Sequence, residues 1–213
     1  MMTRGGEAPA PEILDKLTAA FRHRGPDGEG RYALGDTALL QTRLAIIDLE
    51  TGDQPLFAEV EPMRPPFALV ANGEIYNYRA IKDKYQKSLF NMPDSKLTDS
   101  EVLVNLFDTL DSKEIADEID GMYAYVVYDQ KDRSVQISRD PQGEKTLYIF
   151  EDDKDIIIAS DIKTILAVRP NIKLNLNELK DYFSTRHMMS VARTHFNGIS
   201  QILPGQTLSY SLD

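Results

Sequence analysis

The sequence contains no cysteine among its 213 residues, which excludes disulfides, thiolate metal sites and thiol catalysis for the chain as it stands. The three histidines, His23, His187 and His195, lie far apart and show no metal-ligand spacing. No run approaches the ~20 consecutive apolar residues that a membrane-spanning helix requires, and the first residues lack the apolar core of a signal peptide. We therefore expect a cytoplasmic protein that holds no metal.

Basic residues are also in the minority, with 24 Lys and Arg against 34 Asp and Glu, so that the formal net charge is −10 and the pI about 4.8. A nucleic-acid partner would require a basic stripe that neutralises phosphates, and an electrostatic membrane anchor would require a basic cluster. Both classes are excluded by this charge balance. A chain of this length is expected to form one well-packed domain.

The pattern of apolar residues predicts strands that are flanked by helices. A helix is expected at 11–21, and a capping box, with Thr98 as N-cap and Glu101 three residues later, predicts a second helix over 102–110. Further helices are expected after Asn77, over 162–168 and from Asn175 to Phe183. The predicted strands are 30–34, 37–47, 67–71, 123–128, 134–138, 146–150 and 156–159. This grouping favours an α+β fold with sheet packed on sheet, although the pattern alone also fits a single sheet.

Several short segments, in the same order along the chain, resemble the amidotransferase domain of glutamine-dependent asparagine synthetases. They are Arg22-His23-Arg24-Gly25-Pro26-Asp27-Gly28, Arg43-Leu44-Ala45-Ile46-Ile47-Asp48-Leu49, Gln54-Pro55-Leu56, Asn72-Gly73-Glu74-Ile75-Tyr76-Asn77, Thr98-Asp99-Ser100-Glu101-Val102, Asp120-Gly121-Met122-Tyr123-Ala124, Arg139-Asp140 and Ala159-Ser160-Asp161-Ile162-Lys163. The resemblance is strongest over 22–163. It implies a single amidotransferase domain over 1–213, in which 164–213 forms a tail toward a synthetase domain.

The resemblance implies the four-layer αββα sandwich of the N-terminal-nucleophile hydrolases and hydrolysis of the glutamine side-chain amide. Arg43 matches the residue that pairs with the substrate α-carboxylate, a task that suits the planar fork of a guanidinium. The main chain of Leu44, Ala45, Ile46 and Ile47 would line the glutamine pocket. The alternative for Arg43 is a surface arginine at the end of a strand.

The resemblance also assigns the oxyanion donors and the ligands of the α-ammonium group. Asn72, through its side-chain amide, and Gly73, through its backbone N–H, match the catalytic oxyanion hole, although an Asn-Gly pair also suits an ordinary turn. Glu74 and Asp99 match the carboxylates that receive the α-ammonium group. Asp99 would also be favoured in the first turn of a helix by the helix dipole. His23 is interpreted as structural.

Members of the family begin with Met-Cys-Gly-Ile or a similar segment, and their cysteine is the nucleophile, whereas this chain opens Met1-Met2-Thr3-Arg4. We interpret the first, nucleophile-bearing strand as missing. Three explanations stay open: a start assigned too late or a trimmed chain, a domain that has kept the pocket and lost the reaction, or Thr3 as a processed nucleophile. The retained pocket residues favour the first, and the large Met2 side chain disfavours the third.

The sequence shows no Ser-Gly-Gly-x-Asp-Ser nucleotide loop, so ATP and Mg²⁺ would belong to a synthetase domain outside these residues and no cofactor is expected here. The expected partners are glutamine, a C-terminal synthetase domain or subunit, and a possible second copy in a homodimer. Alone, the chain is expected to show neither glutaminase nor synthetase activity. The alternative is a non-catalytic scaffold domain of an asparagine-synthetase-like or β-lactam-synthetase-like enzyme.

Overall fold

The computed structural model of the chain describes residues 1–44, 53–58, 67–89 and 98–211, with side chains except at 86–89. Within these residues the helices are α1 (Pro11–Phe21), α2 (Tyr78–Leu89), α3 (Asp99–Leu106), α4 (Ser112–Glu118), α5 (Ile162–Val168) and α6 (Leu176–Thr185). The strands are β1 (Met2–Thr3), β2 (Gly28–Leu34), β3 (Thr37–Arg43), β4 (Leu56–Phe57), β5 (Phe67–Ile75), β6 (Gly121–Asp129), β7 (Ser134–Arg139), β8 (Tyr148–Glu151), β9 (Asp155–Ala159), β10 (Ile199–Gln201) and β11 (Thr207–Ser211).

The described strands form two antiparallel sheets. The first has the order β10-β8-β9-β1-β3-β2, and the second has the order β11-β7-β6-β5-β4. Strand β5 pairs with β6 along its whole length, from Phe67 opposite Asp129 to Ile75 opposite Gly121. This long ladder holds the segment that carries Asn72, Gly73 and Glu74.

Three apolar clusters show how the layers are stacked. Leu39, Ala68, Val126 and Ile137 belong to a cluster that lies between the two sheets. A second cluster joins the outer face of the second sheet to α2, α3 and α4, and a third joins the outer face of the first sheet to α1 and α5. The order of layers is therefore helices, sheet, sheet, helices, which confirms the predicted α+β sandwich.

The predicted elements agree with the structure in kind and differ mainly at their ends. Helix α1 has the predicted bounds, and Thr98 caps α3 through a capping box with Glu101, although that helix ends at Leu106 and not at Leu110. Strand β5 runs four residues past its predicted end, to Ile75. The pattern did not reveal β4, β10, β11 or α4.

The interpretation of the first strand as missing requires a correction. Met2 and Thr3 form a short strand that lies between β3 and β9, where Met2 is opposite both Thr37 and Ile156. Met2 is buried in the cluster between the sheets. Because β3 lies on one side of this segment and β9 on the other, even two residues find backbone hydrogen-bond partners on both sides.

Candidate functional site

Arg43 is the last residue of β3, and its side chain is only 15% exposed. Leu39 of the same strand faces the other sheet, and because side chains alternate along a strand, Arg43 shares that face. Its Nη1 atom lies 3.2 Å from Oδ1 of Asp53, whose side chain is 87% exposed. The largely buried guanidinium at the end of β3 is therefore paired with the exposed carboxylate of Asp53.

The segment around Gln54 connects this arginine to the second sheet. The Oε1 atom of Gln54 accepts a hydrogen bond of 2.7 Å from the backbone N–H of Ala71. Two residues further on, β4 pairs with β5, with Leu56 opposite Leu69. Asp53, which pairs with Arg43, is thus the sequence neighbour of Gln54. Gln54 in turn binds β5 at Ala71, the residue immediately before Asn72. No sequence signal assigned a role to Asp53 or Gln54, although Gln54 lies in one of the family-like segments.

Asn72, Gly73 and Glu74 lie near the end of β5. Ala68 and Val70 of this strand face the other sheet, and alternation places Asn72 and Glu74 on that same face. Asn72 is partly buried, while Gly73 and Glu74 are exposed. Arg43 on one sheet and Asn72 with Glu74 on the other therefore lie on the faces that the two sheets turn toward each other. The space between these residues is called the opening below.

Gly73 occupies a backbone conformation and a contact that other residues would not tolerate. Its φ is +146°, and a Cβ atom there would lie 1.9 Å from the carbonyl oxygen of Met122 on β6. Gly121, on the same strand as Met122, approaches the carbonyl of Glu74 in a similar way, since its Cβ would lie 2.1 Å from that oxygen. The two strands are thus closest where the predicted oxyanion donor lies.

Asp99 is the first residue of α3, directly after its N-cap Thr98. Its Oδ2 atom accepts a hydrogen bond of 2.8 Å from the backbone N–H of Ile75, so the carboxylate lies beside Glu74. Desolvation, together with the negative charges of Glu144 and Glu74, raises the pKa of the neighbouring, exposed Tyr76. This rim of the opening is therefore negatively charged and suits a cation.

Of the other predicted pocket residues, the structure describes only Leu44. Leu44 follows β3 and is exposed, and Ala45, Ile46 and Ile47 lie outside the described residues. The segment from Arg22 to Asp27 packs on the end of β3, where the backbone N–H of Asp27 donates to the carbonyl of Arg43 at 3.0 Å. The Nε2 atom of His23 lies 3.9 Å from Oδ2 of Asp161.

Arg139 and Asp140 are buried and hold neighbouring loops. The Arg139 guanidinium donates to the carbonyls of Lys145, Ile202 and Gly143 at 2.5–2.6 Å. The Asp140 carboxylate accepts from the backbone N–H groups of Glu144 and Lys145 at 2.9 and 3.0 Å. Both charges are matched by backbone dipoles and are not arranged as a catalytic dyad.

Within the described residues, no group of three or more His, Asp or Glu side chains is placed to hold a metal ion. In the same part of the chain, each helix is too short or too polar to cross a bilayer.

Comparisons with known proteins show the family of the chain. A family model described as a glutamine amidotransferase domain matches residues 2–213. Asparagine synthetase [glutamine-hydrolyzing] 3 of Arabidopsis thaliana is 36% identical over 151 residues, which is 70% of this chain and 25% of the relative. Asparagine synthetase B [glutamine-hydrolyzing] of Escherichia coli is 33% identical over 159 residues, which is 74% of this chain and 27% of the relative.

A solved structure shares the fold. The glutamine phosphoribosylpyrophosphate amidotransferase of B. subtilis superimposes with a TM-score of 0.62 at 21% identity, over 77% of this chain and 42% of the other. The chain spans about a quarter of the length of the two curated relatives. With a family model that matches nearly every residue, the chain belongs to the glutamine amidotransferase domain family.

Proposed function

We propose that this chain is the glutamine-binding domain of an asparagine-synthetase-type enzyme, in which ammonia from the glutamine side chain would pass to an ATP-dependent synthetase part. The observation that supports the proposal is that Arg43 and Glu74 lie on the faces that the two sheets turn toward each other, with Asp99 hydrogen-bonded to the N–H of Ile75 beside Glu74. A free amino acid has a carboxylate and an ammonium group, and the opening offers a partner of opposite charge to each.

Each residue has a distinct role in this proposal. Arg43 binds the α-carboxylate through its guanidinium, and Glu74 and Asp99 bind the α-ammonium group. The side-chain amide of Asn72 and the N–H of Gly73 stabilise the oxyanion that forms when a nucleophile attacks the side-chain carbonyl. Losing one such donor typically costs ~3–4 kcal/mol of barrier stabilisation.

Hydrolysis also requires a nucleophile, and the 213 residues contain no thiol. The chain 1–213 is therefore expected to bind glutamine without releasing ammonia.

Beyond Ala38, no strand in the described part of the chain pairs with the edge of β3 that faces β1. That edge leads from Ala38 directly to Arg43.

The pairing register of β1 fixes how a nucleophile can be supplied. Met1 lies opposite Ala38, with which it exchanges backbone hydrogen bonds of 2.8 and 2.9 Å. A continuous strand with five residues added before Met1 would place the first of them opposite Arg43, on the face shared by Met2, Leu39 and Arg43. A cysteine at that position would point into the opening between the sheets.

Calorimetry with glutamine and a coupled ammonia assay test the proposal. The unmodified chain should bind glutamine and remain inert, and a chain with a five-residue extension that begins Cys-Gly-Ile should release ammonia after removal of its initiator methionine. The matched control carries six added residues, which turns the cysteine to the opposite face and should stay inert. Absence of glutamine binding together with an inert five-residue variant would refute the proposal. Binding without reaction in that variant would favour the non-catalytic scaffold.

A further inference from the structure

One surface outside the glutamine opening is unusually apolar. Of the nine large apolar side chains that are exposed in the described residues, six lie in one stretch of eighteen residues. They are Leu174, Leu176, Tyr182, Phe183, Met189 and Val191, which together we name the α6 patch. Exposed apolar groups are ordinary when scattered, but a contiguous group of them usually marks a site of interaction.

Contacts within the structure connect parts of the α6 patch. Leu176 and Phe183 are seven residues apart, which places them on the same face of α6. The ring of Tyr182 makes edge-to-face contacts with the rings of Phe183 and His195, with centroid separations of 5.9 and 5.3 Å. Arg193 donates to the buried carboxylate of Glu178 at 2.6 Å. The segment that carries Met189 and Val191 is thereby held against α6.

A cavity of about 360 Å³ opens beside the patch. Its walls include Met188 and Val191 from the patch side, Tyr148 of β8, the buried Arg139, and Pro204. Pro204 is three residues before the start of β11, the last strand. An apolar surface beside a pocket is the arrangement in which interfaces place an anchoring side chain.

The charge around the patch differs from that of the whole chain. Between Lys173 and Arg193 the cationic side chains are Lys173, Lys180, Arg186 and Arg193, and the anionic ones are Glu178 and Asp181, so the local net charge is +2. The net charge of the chain is −10. Two copies that met patch to patch would bring like charges together, which disfavours a symmetric dimer through this surface. An apolar partner surface with an acidic rim fits it.

We infer that the α6 patch is the docking surface for the ATP-dependent synthetase part of an asparagine-synthetase-type enzyme. The inference rests on the proposed function for the identity of the partner. The relatives in question are about four times as long as the segment they share with this chain, so this domain fold occurs there with a large remainder of chain. The cavity beside the patch lies next to the connection between β10 and β11.

The test measures hydrogen exchange by mass spectrometry over 176–195. The probe is the remainder of E. coli asparagine synthetase B outside its matched segment, which is used in two arrangements: fused after this chain and added in trans. Exchange over 176–195 should slow by about tenfold or more in at least one arrangement. Exchange at the β2–β3 turn, around Gly35, should not change. Equal exchange with and without the probe in both arrangements would overturn the inference.

Paired variants show whether the patch itself is responsible. Phe183→Ser with Val191→Ser should abolish the protection, and single substitutions should weaken binding in trans by at least about tenfold. Leu34→Ser is the matched control, since Leu34 is also exposed but lies on β2 at the far edge of the sheet. Protection that appears in the isolated chain as its concentration rises would identify a second copy as the occupant and contradict the inference.

Glutamine titration of the same samples separates the two proposals. All patch variants should bind glutamine as the parent chain does, because none of the substituted residues lies at the glutamine opening. Protection without glutamine binding would contradict the proposed function and support the docking surface. Glutamine binding without protection would support the proposed function and contradict the docking surface.

Discussion

The carboxylate of Asp99 accepts a hydrogen bond of 2.8 Å from the backbone N–H of Ile75, and this contact ties the start of α3 to the end of β5. It has two consequences. The contact fixes the position of β5 just after the predicted oxyanion donors, and it holds a negative charge next to Glu74. Asp99 therefore has a structural role and, in the proposed function, a ligand role, and the two can be separated by substitution.

Asp99→Asn keeps an oxygen that can accept from Ile75 but removes the charge. We expect unfolding free energy to change by less than about 0.5 kcal/mol and glutamine to bind roughly tenfold more weakly, the effect of losing one charged contact. Asp99→Ala should weaken binding equally and also cost about 1 kcal/mol of stability. Calorimetry and urea unfolding measure the two effects. Glu12→Gln, which removes a first-turn carboxylate from α1, should leave glutamine affinity unchanged. Full affinity in Asp99→Asn would contradict the ligand role.

Gly73→Ala should destabilise the chain by about 2–4 kcal/mol, because the substitution combines an unfavourable φ with a clash against the Met122 carbonyl. Gly35→Ala is the control, since Gly35 also has a positive φ, +55°, but a Cβ atom there meets nothing within 4 Å. That substitution should cost only about 1–2 kcal/mol. Urea unfolding of both variants gives the difference, and equal losses would show that the close approach of β6 has no energetic weight.

Asp53→Asn should strengthen glutamine binding by several-fold, roughly 3- to 10-fold. In the structure Asp53 pairs with Arg43, so a substrate carboxylate must compete with it. Because Asp53 is largely exposed, the loss of its ion pair should change stability by less than about 1 kcal/mol. Asp15→Asn, which removes the exposed pair with Arg31 away from the site, should not alter affinity. Weaker binding in Asp53→Asn would mean that Asp53 positions Arg43 and does not compete for it.

Asp108→Asn should stabilise the chain at neutral pH. Burial raises the pKa of the Asp108 carboxyl group, and its Oδ2 atom has no hydrogen-bond partner among the described residues. The folded state therefore binds its proton more tightly than the unfolded state, and stability falls as pH rises through the interval between the two pKa values. Above that interval the gain from Asp108→Asn should be a few tenths to about 1 kcal/mol, because the group is only partly buried.

The same gain should shrink as the pH falls below about 3.9, where the carboxyl group of the unfolded state also becomes protonated. Urea unfolding at pH 7 and at pH 3.5 checks this dependence. Asp83→Asn, at an exposed position of α2, should show no such change with pH. A gain for Asp108→Asn that is equal at the two pH values would contradict the assigned cause.

Local sequence signals predicted much of the fold correctly. The helix over Pro11–Phe21 and the cap at Thr98 follow from side-chain spacing and from hydrogen bonds within four residues, which do not depend on the rest of the molecule. Helix α4 was missed although Asp111 and Glu114 form a capping box of the same kind. Its signal was present in the sequence, but the helix is only seven residues long. Strands β4 and β10 are too short to show any alternation.

The candidate site shows the same division. The sequence contained the family-like segments, and the resemblance assigned roles to Arg43, Asn72, Gly73, Glu74 and Asp99. It could not reveal that Asp53 pairs with Arg43, since an ion pair between a strand end and a separate segment depends on where the chain returns. It also gave no sign that the backbone approach of Met122 requires glycine at position 73.

The sequence by itself determined the chemistry that this protein can offer: no thiol, an excess of acidic groups, and an ordered set of segments that defines its family. Only the tertiary structure decided how those groups meet. The two sheets place Arg43 and Glu74 on faces turned toward each other, and β3 and β9 enclose Met2 and Thr3 as a strand. The physical reason is that spacing along the chain governs local hydrogen bonds, whereas pairing between sheets depends on contacts between residues that are far apart in sequence.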